Sequence, residues 1–212
     1  SRLSKLSHRV IAVSEDEAET MRCAGVVSPE KIRVVPNCID VEPYVQAAPV
    51  VPEVSLPGKT RVLVCGLLNS AKGQDLAIAA LQGSDGRQLE LWLAGDGAER
   101  DALLSQAAAL GVLEQVQFLG HRDDVPGLMK AADLLLLPSR WEGMPYVVLE
   151  AAAAGLPIVG TPVDGAREFL AGELRGWTAE ASTAEAVGAA LWAAVSAGDA
   201  EWELRSARAE QW

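Results

Sequence analysis

Histidine and cysteine are scarce in this chain of 212 residues: there are 2 histidines, His8 and His121, and 3 cysteines, Cys23, Cys38 and Cys65. An odd number of widely spaced cysteines, none in a Cys-x2-Cys pair or beside a histidine, argues against both a disulfide framework and a zinc site. Histidines so placed assemble no Ser-His-Asp arrangement and form no metal-ligand cluster with carboxylates, so no metal is expected. Long apolar runs are missing too. None approaches the roughly 20 residues needed to cross a bilayer, and Ser1-Arg2-Leu3-Ser4-Lys5 has no signal-peptide apolar region behind it. A cytoplasmic location is expected, and a start without Met reads as a chain trimmed from a longer one. Positive charge is in deficit: 18 Lys and Arg stand against 29 Asp and Glu, for a net charge of -11. The charges form no long blocks, which argues against nucleic acid or an anionic membrane as the main partner.

What the chain does have is apolar content, at 50% of its residues, enough to bury a substantial core. Short apolar runs alternate with helical patterns. Strands are expected near Val10 to Val13, Ile32 to Val35, Val62 to Cys65, Leu89 to Ala94, Val116 to Leu119, Leu134 to Leu137 and Ile158 to Gly160. Helices are expected over Glu15 to Ala24, Asp75 to Leu81, Glu99 to Leu110, Val125 to Ala131, Pro145 to Ala154, Ala166 to Leu170 and Thr183 to Ala197. Such alternation calls for right-handed crossovers and an α/β fold with a Rossmann-like parallel sheet covered by helices on both faces. Ligands of that architecture bind beyond the carboxyl ends of the strands.

The most informative stretch runs from Glu142 to Glu150. Leu134-Leu135-Leu136-Leu137 reads as a strand buried on both faces, ending at Pro138. A loop, Ser139 to Met144, leads to Pro145, which suits a first helical position because its missing N–H costs nothing there. The helix would aim free N–H groups and a partial positive charge past the strand's end, where a phosphate is the natural guest. Glu142 falls in the loop beside this anion site, and Glu150 lies more than a helical turn further on. The two acids therefore have different tasks: one to meet sugar hydroxyls or positive charge on a ring carbon, the other to grip a ribose diol.

A second constellation, Gly66-Leu67-Leu68-Asn69-Ser70-Ala71-Lys72-Gly73, follows the strand that ends at Cys65. Gly66 lets backbone approach a ligand closely, and Lys72 supplies a point charge for a diphosphate. Gly95-Asp96-Gly97 resembles half of a dinucleotide fingerprint, but Arg100 stands where a third Gly is required and no ribose-binding acid supports it. It reads as a strand-to-helix turn at the edge of the same cleft.

The segment from Pro138 to Glu168, with its Glu-x7-Glu core, resembles the signature of retaining glycosyltransferase family 4, enzymes of the two-domain GT-B fold. His8 to Ser14, Val34 to Asp40, Cys65 to Leu76, Leu93 to Arg100 and Val116 to Leu128 match further family blocks in order, so the likeness runs from about Arg9 to Val195. It implies transfer of a sugar from a nucleotide-sugar to a glycan, lipid or other acceptor, with retention at the anomeric carbon and no cofactor or bound metal. Glu142, with Gly143, Met144, Pro145 and Tyr146, would hold the donor sugar and distal phosphate, with Glu142 as the catalytic acid. Gly66 and Lys72 would hold the diphosphate, Glu150 the ribose, and the main chain of His121 and Arg122 the base. Family members usually carry Arg where this chain has Leu67; either another cation, Arg140 or one from the missing domain, substitutes for it, or activity is reduced.

The resemblance also divides the chain. Residues 1–45 would be a remnant of an acceptor domain, 46–59 a proline-rich linker, 60–198 the donor-binding domain and 199–212 a terminal helical segment. Without its acceptor domain the chain is expected to be inactive in transfer, with membrane contact only peripheral and through that missing domain. The strand-like segments at Val10 and Ile32 are expected to pair with each other, pack on the donor domain or swap between chains. Trp202 and Trp212 are expected to form an exposed patch for homo-oligomerisation, unless they cover the core. Two other readings share these residues: a non-catalytic nucleotide-sugar binding module, suggested by Leu67, and a sugar-nucleotide epimerase or phosphorylase of the same architecture.

Overall fold

The structure, a computed structural model, describes residues 7–25, 27–83, 88–171 and 176–209. Its first unit is small. Strand β1 (Val10–Ala12) runs through helix α1 (Glu15–Cys23) to β2 (Ile32–Val34), and the strands pair in parallel with Val10 opposite Ile32. Of the fates expected for these segments, mutual pairing is observed, and so is packing on the main body, whose core Val13 and Ile39 meet. Ser14 caps α1 by accepting from the Glu17 N–H, and Glu15, Asp16 and Glu17 place negative charge in the first turn. Ala12, Ala18, Val27 and Ile32 form the unit's own buried cluster.

A short helix absent from the sequence expectations, α2 (Glu42–Gln46), precedes an irregular, largely exposed stretch that is tied to the main body at a few points. The Val50 N–H donates to Gly127 O, while the buried Glu90 carboxylate accepts from Ser55 Oγ and the Leu56 N–H, each at 2.9 Å.

The main body is a six-stranded parallel sheet. It is built from β3 (Thr60–Cys65), α3 (Gln74–Ala80), β4 (Leu89–Ala94), α4 (Arg100–Ala109), β5 (Val116–Gly120), α5 (Val125–Ala131), β6 (Leu134–Leu137), α6 (Tyr146–Ala153), β7 (Ile158–Gly160), α7 (Ala166–Ala171), β8 (Gly176–Thr178), α8 (Ala184–Ala197) and α9 (Asp199–Ala209). Strand order is β5-β4-β3-β6-β7-β8. The chain thus begins in mid-sheet, walks outward to β5, then returns to the centre at β6. That reversal opens a crevice between the carboxyl ends of β3 and β6.

Alternation of side chains across the sheet divides the core in two. Leu134 and Leu136 join one cluster, with Leu76 and Ile78 of α3, Leu103 of α4 and Leu191 of α8. Leu135 and Leu137 join the other, with Leu128 of α5, Val148 of α6 and Phe169 of α7. A run of four leucines is what a strand covered by helices on both faces requires.

Trp202 departs from the expected exposed patch. It packs against the first cluster and its indole donates to Ala194 O at 2.6 Å, so it covers core; Trp212 lies outside the described residues. The start of α6 also differs from expectation. Pro145 is the N-cap, with extended backbone (φ -71°, ψ 120°), and its carbonyl accepts from Val148 N–H, leaving Tyr146 as the first helical residue.

Candidate active site

A cleft of about 800 Å³ occupies the crevice at the strand-order reversal. Most of its wall comes from the carboxyl ends of four strands and the loops after them: Cys65, Gly66, Leu67 and Lys72 at β3; Ala94, Gly95 and Asp96 at β4; His121, Arg122 and Asp123 at β5; and Glu142 and Met144 to Val147 after β6; helices add Tyr44 of α2, Val125 and Pro126 of α5 and Glu150 of α6. Every residue expected at the donor site lines it except Gly143, which lies between two lining residues.

The β3 and β4 loops reach the cleft as a pair. Gly66 N–H donates to Ala94 O, Leu68 N–H to Asp96 O, and Glu99 N–H back to Leu68 O, at 2.9–3.2 Å. Gly95 has φ +150°, and a Cβ there would collide with Gly66 O. Its glycine is needed for loop-against-loop packing. The half-fingerprint of the sequence is thereby accounted for without a dinucleotide.

Lys72 and Glu142 meet directly, Nζ to Oε1 at 2.7 Å. The same oxygen accepts from Ser139 Oγ at 2.8 Å, and the buried Thr161 hydroxyl donates to Ser139 O. The Glu142 side chain is only 12% exposed, so it is a held carboxylate and not a solvated loop residue. A cation and an acid thus sit one hydrogen bond apart, beside the free N–H groups of the first turn of α6. An anion drawn to Lys72 is brought against Glu142.

Glu150 faces a residue that sequence reasoning passed over. Tyr44, on α2, lines the same cleft; burial foremost, then the Glu150 charge and a hydrogen bond to it, hold its phenol proton well above the ordinary range. Burial and the same charge push the Cys65 thiol up to about 12, so it stays a neutral thiol at the cleft floor. Nothing in the spacing of Tyr44 marks it, because it comes from the far side of the linker.

At the β5 end, Arg122 grips Asp124 with two hydrogen bonds of 2.6 and 2.7 Å, and exposed His121 lies 3.3 Å from Asp123. Both side chains are turned to neighbouring acids. Arg140 does not take the place of the missing cation at Leu67. It is bound to Asp75 at 2.6 and 2.8 Å and to Ser70 O, outside the cleft lining. Leu67 itself is 59% exposed at the cleft wall and brings no charge. Among the described residues no group of three or more His, Cys, Asp or Glu is gathered as a metal site, and no helix is long and apolar enough to cross a membrane.

Comparison with known proteins gives the chain's family. The model of the family "Glycosyl transferases group 1" matches residues 52–210, and that of "Glycosyltransferase Family 4" matches residues 1–43. The chain is 27% identical over 190 residues to the UDP-Gal:alpha-D-GlcNAc-diphosphoundecaprenol alpha-1,3-galactosyltransferase of Escherichia coli, covering 84% of this chain and 48% of that protein. It is 35% identical over 144 residues to glycogen synthase of Mycobacterium tuberculosis, covering 66% of this chain and 34% of that protein. Among solved structures, Anabaena Alr3699/HepE in complex with UDP superposes with a TM-score of 0.83 at 26% identity, over 98% of this chain and 60% of that one. WaaG, a glycosyltransferase involved in lipopolysaccharide biosynthesis, shares the fold with a TM-score of 0.80 at 24% identity, over 96% of this chain and 57% of that one. The chain spans about half or less of the length of these two curated relatives. With a family model matching well over half of its residues, the chain belongs to the group 1 glycosyl transferases.

Proposed function

We propose that this chain binds a nucleotide-sugar, with a uridine nucleotide as its first candidate, and is the donor-binding portion of an enzyme that transfers the sugar with retention. The observation that carries the reading is the convergence of Lys72, Glu142, the first turn of α6 and Glu150 on one cleft at the strand-order reversal. Structures of HepE with UDP, and with UDP-glucose, at 26% and 25% identity, support the choice of nucleotide. Acceptor choice and the transfer step belong to the whole enzyme.

In this reading the diphosphate lies against Gly66, Lys72 and the N–H groups of Tyr146 and Val147. Those groups neutralise the leaving diphosphate without a resident metal, by fixed dipoles and one ammonium that need no reorganisation as charge develops. Glu142, held by Ser139 and Lys72, presents a carboxylate to the sugar, where it can accept from hydroxyls and offset positive charge growing on the anomeric carbon. Glu150 accepts from the ribose diol, and the loop of His121 and Arg122 meets the base through its main chain.

The test is a single-turnover assay of the complete enzyme with a radiolabelled UDP-sugar. Glu142→Gln keeps the size of the side chain and removes its charge; transfer is expected to fall at least about a hundredfold, the cost of losing one group that stabilises developing charge. Circular dichroism should be unchanged. Turnover equal to the parent would remove Glu142 from the chemistry.

A further inference from the structure

The segment ahead of the linker touches the cleft at the turn of Gly143 and Met144. Asn37, just beyond β2, donates its side-chain amide to Met144 O at 2.8 Å across 107 residues of sequence. Ser14, buried at the start of α1, directs its hydroxyl to Gly143 O at 3.4 Å while still capping its own helix. Two consecutive carbonyls of the turn between Glu142 and α6 are therefore held from one side.

From the other side the turn is backed by Gly165, with φ +71°, where a Cβ would strike Gly143 O and approach Met144 Cα to 2.9 Å. Beyond it, Arg167 pairs with Asp16 at 2.7 Å, and Glu168 accepts from the Glu15 N–H at 3.1 Å. The closeness is tight enough that a Cβ on Gly143 would lie 3.3 Å from Val13 Cγ2. Because a trans peptide is planar, fixing the Gly143 carbonyl toward Ser14 fixes the Met144 N–H in the opposite direction. Fixing the Met144 carbonyl sets the plane of the bond to Pro145, and with it the start of α6.

We propose that Asn37, assisted by Ser14, is a positioning residue that sets the Gly143–Met144–Pro145 turn, so that residues ahead of the linker complete the distal-phosphate side of the donor cleft. The consequence for binding rests on the nucleotide-sugar reading above; the positioning role does not. Asn37 touches no reacting atom and acts through the orientation of the turn's peptide planes.

Hydrogen–deuterium exchange on this chain tests the role without a ligand. Asn37→Asp keeps the shape but replaces a donor by an acceptor facing a carbonyl. It should accelerate exchange at Val148, whose N–H closes the first turn of α6 on Pro145 O, and at the following amides of α6 by about tenfold, the worth of one hydrogen bond, with β3 and β4 unchanged. Unchanged exchange at these amides, or a rise spread equally over the sheet, would overturn the proposal. Should Asn37→Asp not fold, Ser14→Ala keeps the helix in a milder form and is expected to give a smaller rise confined to the same amides. Calorimetry adds a readout that global loosening would not separate: Asn37→Asp should weaken UDP about tenfold while leaving uridine unaffected, and equal losses for both would also count against positioning. Failure of the parent chain to bind UDP, with the local exchange change present, would refute the nucleotide reading and leave the positioning role standing.

Discussion

At Lys72 the chain makes its sharpest compromise: the ammonium that should attract a diphosphate already has a partner in Glu142 at 2.7 Å. The pair is partly buried, so removing one member leaves the other charge in a poorly solvated place. Lys72→Ala is therefore expected to weaken UDP binding by about tenfold or more in calorimetry, with a smaller loss for uridine; equal losses would place Lys72 away from the phosphates. Tyr44 offers a finer test. Tyr44→Phe removes only the hydroxyl on which the Glu150 charge acts; with Glu150 at the ribose as proposed, it should weaken UDP by roughly threefold to tenfold while changing 2′-deoxy-UDP less. An equal effect on both nucleotides would detach Tyr44 from the ribose side. Glu142, Glu150 and Lys72 were legible in the sequence because each stands at a fixed distance from a strand end. Tyr44, Asn37 and Ser14 were not assigned to the site, because they reach it only through the packing of two units whose contact no local pattern records.

Among the elements, the helix starts and strand ends followed the hydrophobic pattern closely, with β4, β6 and β7 matching residue for residue. The two that escaped have short signals: β8 is three residues at the sheet edge, and α2 is five residues with a proline in its first turn. Pro145 stands one step ahead of the expected first helical position, because the same residue serves as N-cap or first helical residue and only its ψ decides. At this scale Gly165 is the element joint to test. Gly165→Ala should cost at least about 1 kcal/mol through its left-handed backbone alone, and its collision with Gly143 O should also loosen the turn. A thermal melt at parent stability would contradict that.

The Asp75–Arg140 pair ties α3 to the loop after β6, and it predicts a pH dependence. Arg140's hydrogen bonds, opposed by burial, hold the Asp75 carboxyl below its ordinary value. A depressed native pKa means the pair's contribution is present above the unfolded value of about 3.9 and is lost as pH falls through the lower native one. Asp75→Asn should therefore be less stable than the parent at neutral pH, with the gap closing toward pH ~2. A gap independent of pH would mean that shape, and not charge, matters at this contact. The carboxylate remains partly exposed, so the effect is expected to be modest.

For the molecule as a whole, a parallel sheet and its two covered faces followed from the alternation of runs, and the position of the cleft followed from strand order. What sequence could not supply was how the small β1–β2 unit sits against the main body, and so how far the donor cleft depends on residues ahead of the linker. Nor did it show that Arg140 is spent on Asp75, leaving Leu67 without a substitute cation from that residue. The most direct test is calorimetric titration of this chain with UDP, GDP and ADP, with and without chelator, alongside Lys72→Ala and Glu150→Ala. Binding selective for UDP, indifferent to chelator and weakened in both variants is the expected result. Absence of binding to every nucleotide, or binding that both substitutions leave intact, would contradict the assignment of this cleft to a nucleotide-sugar.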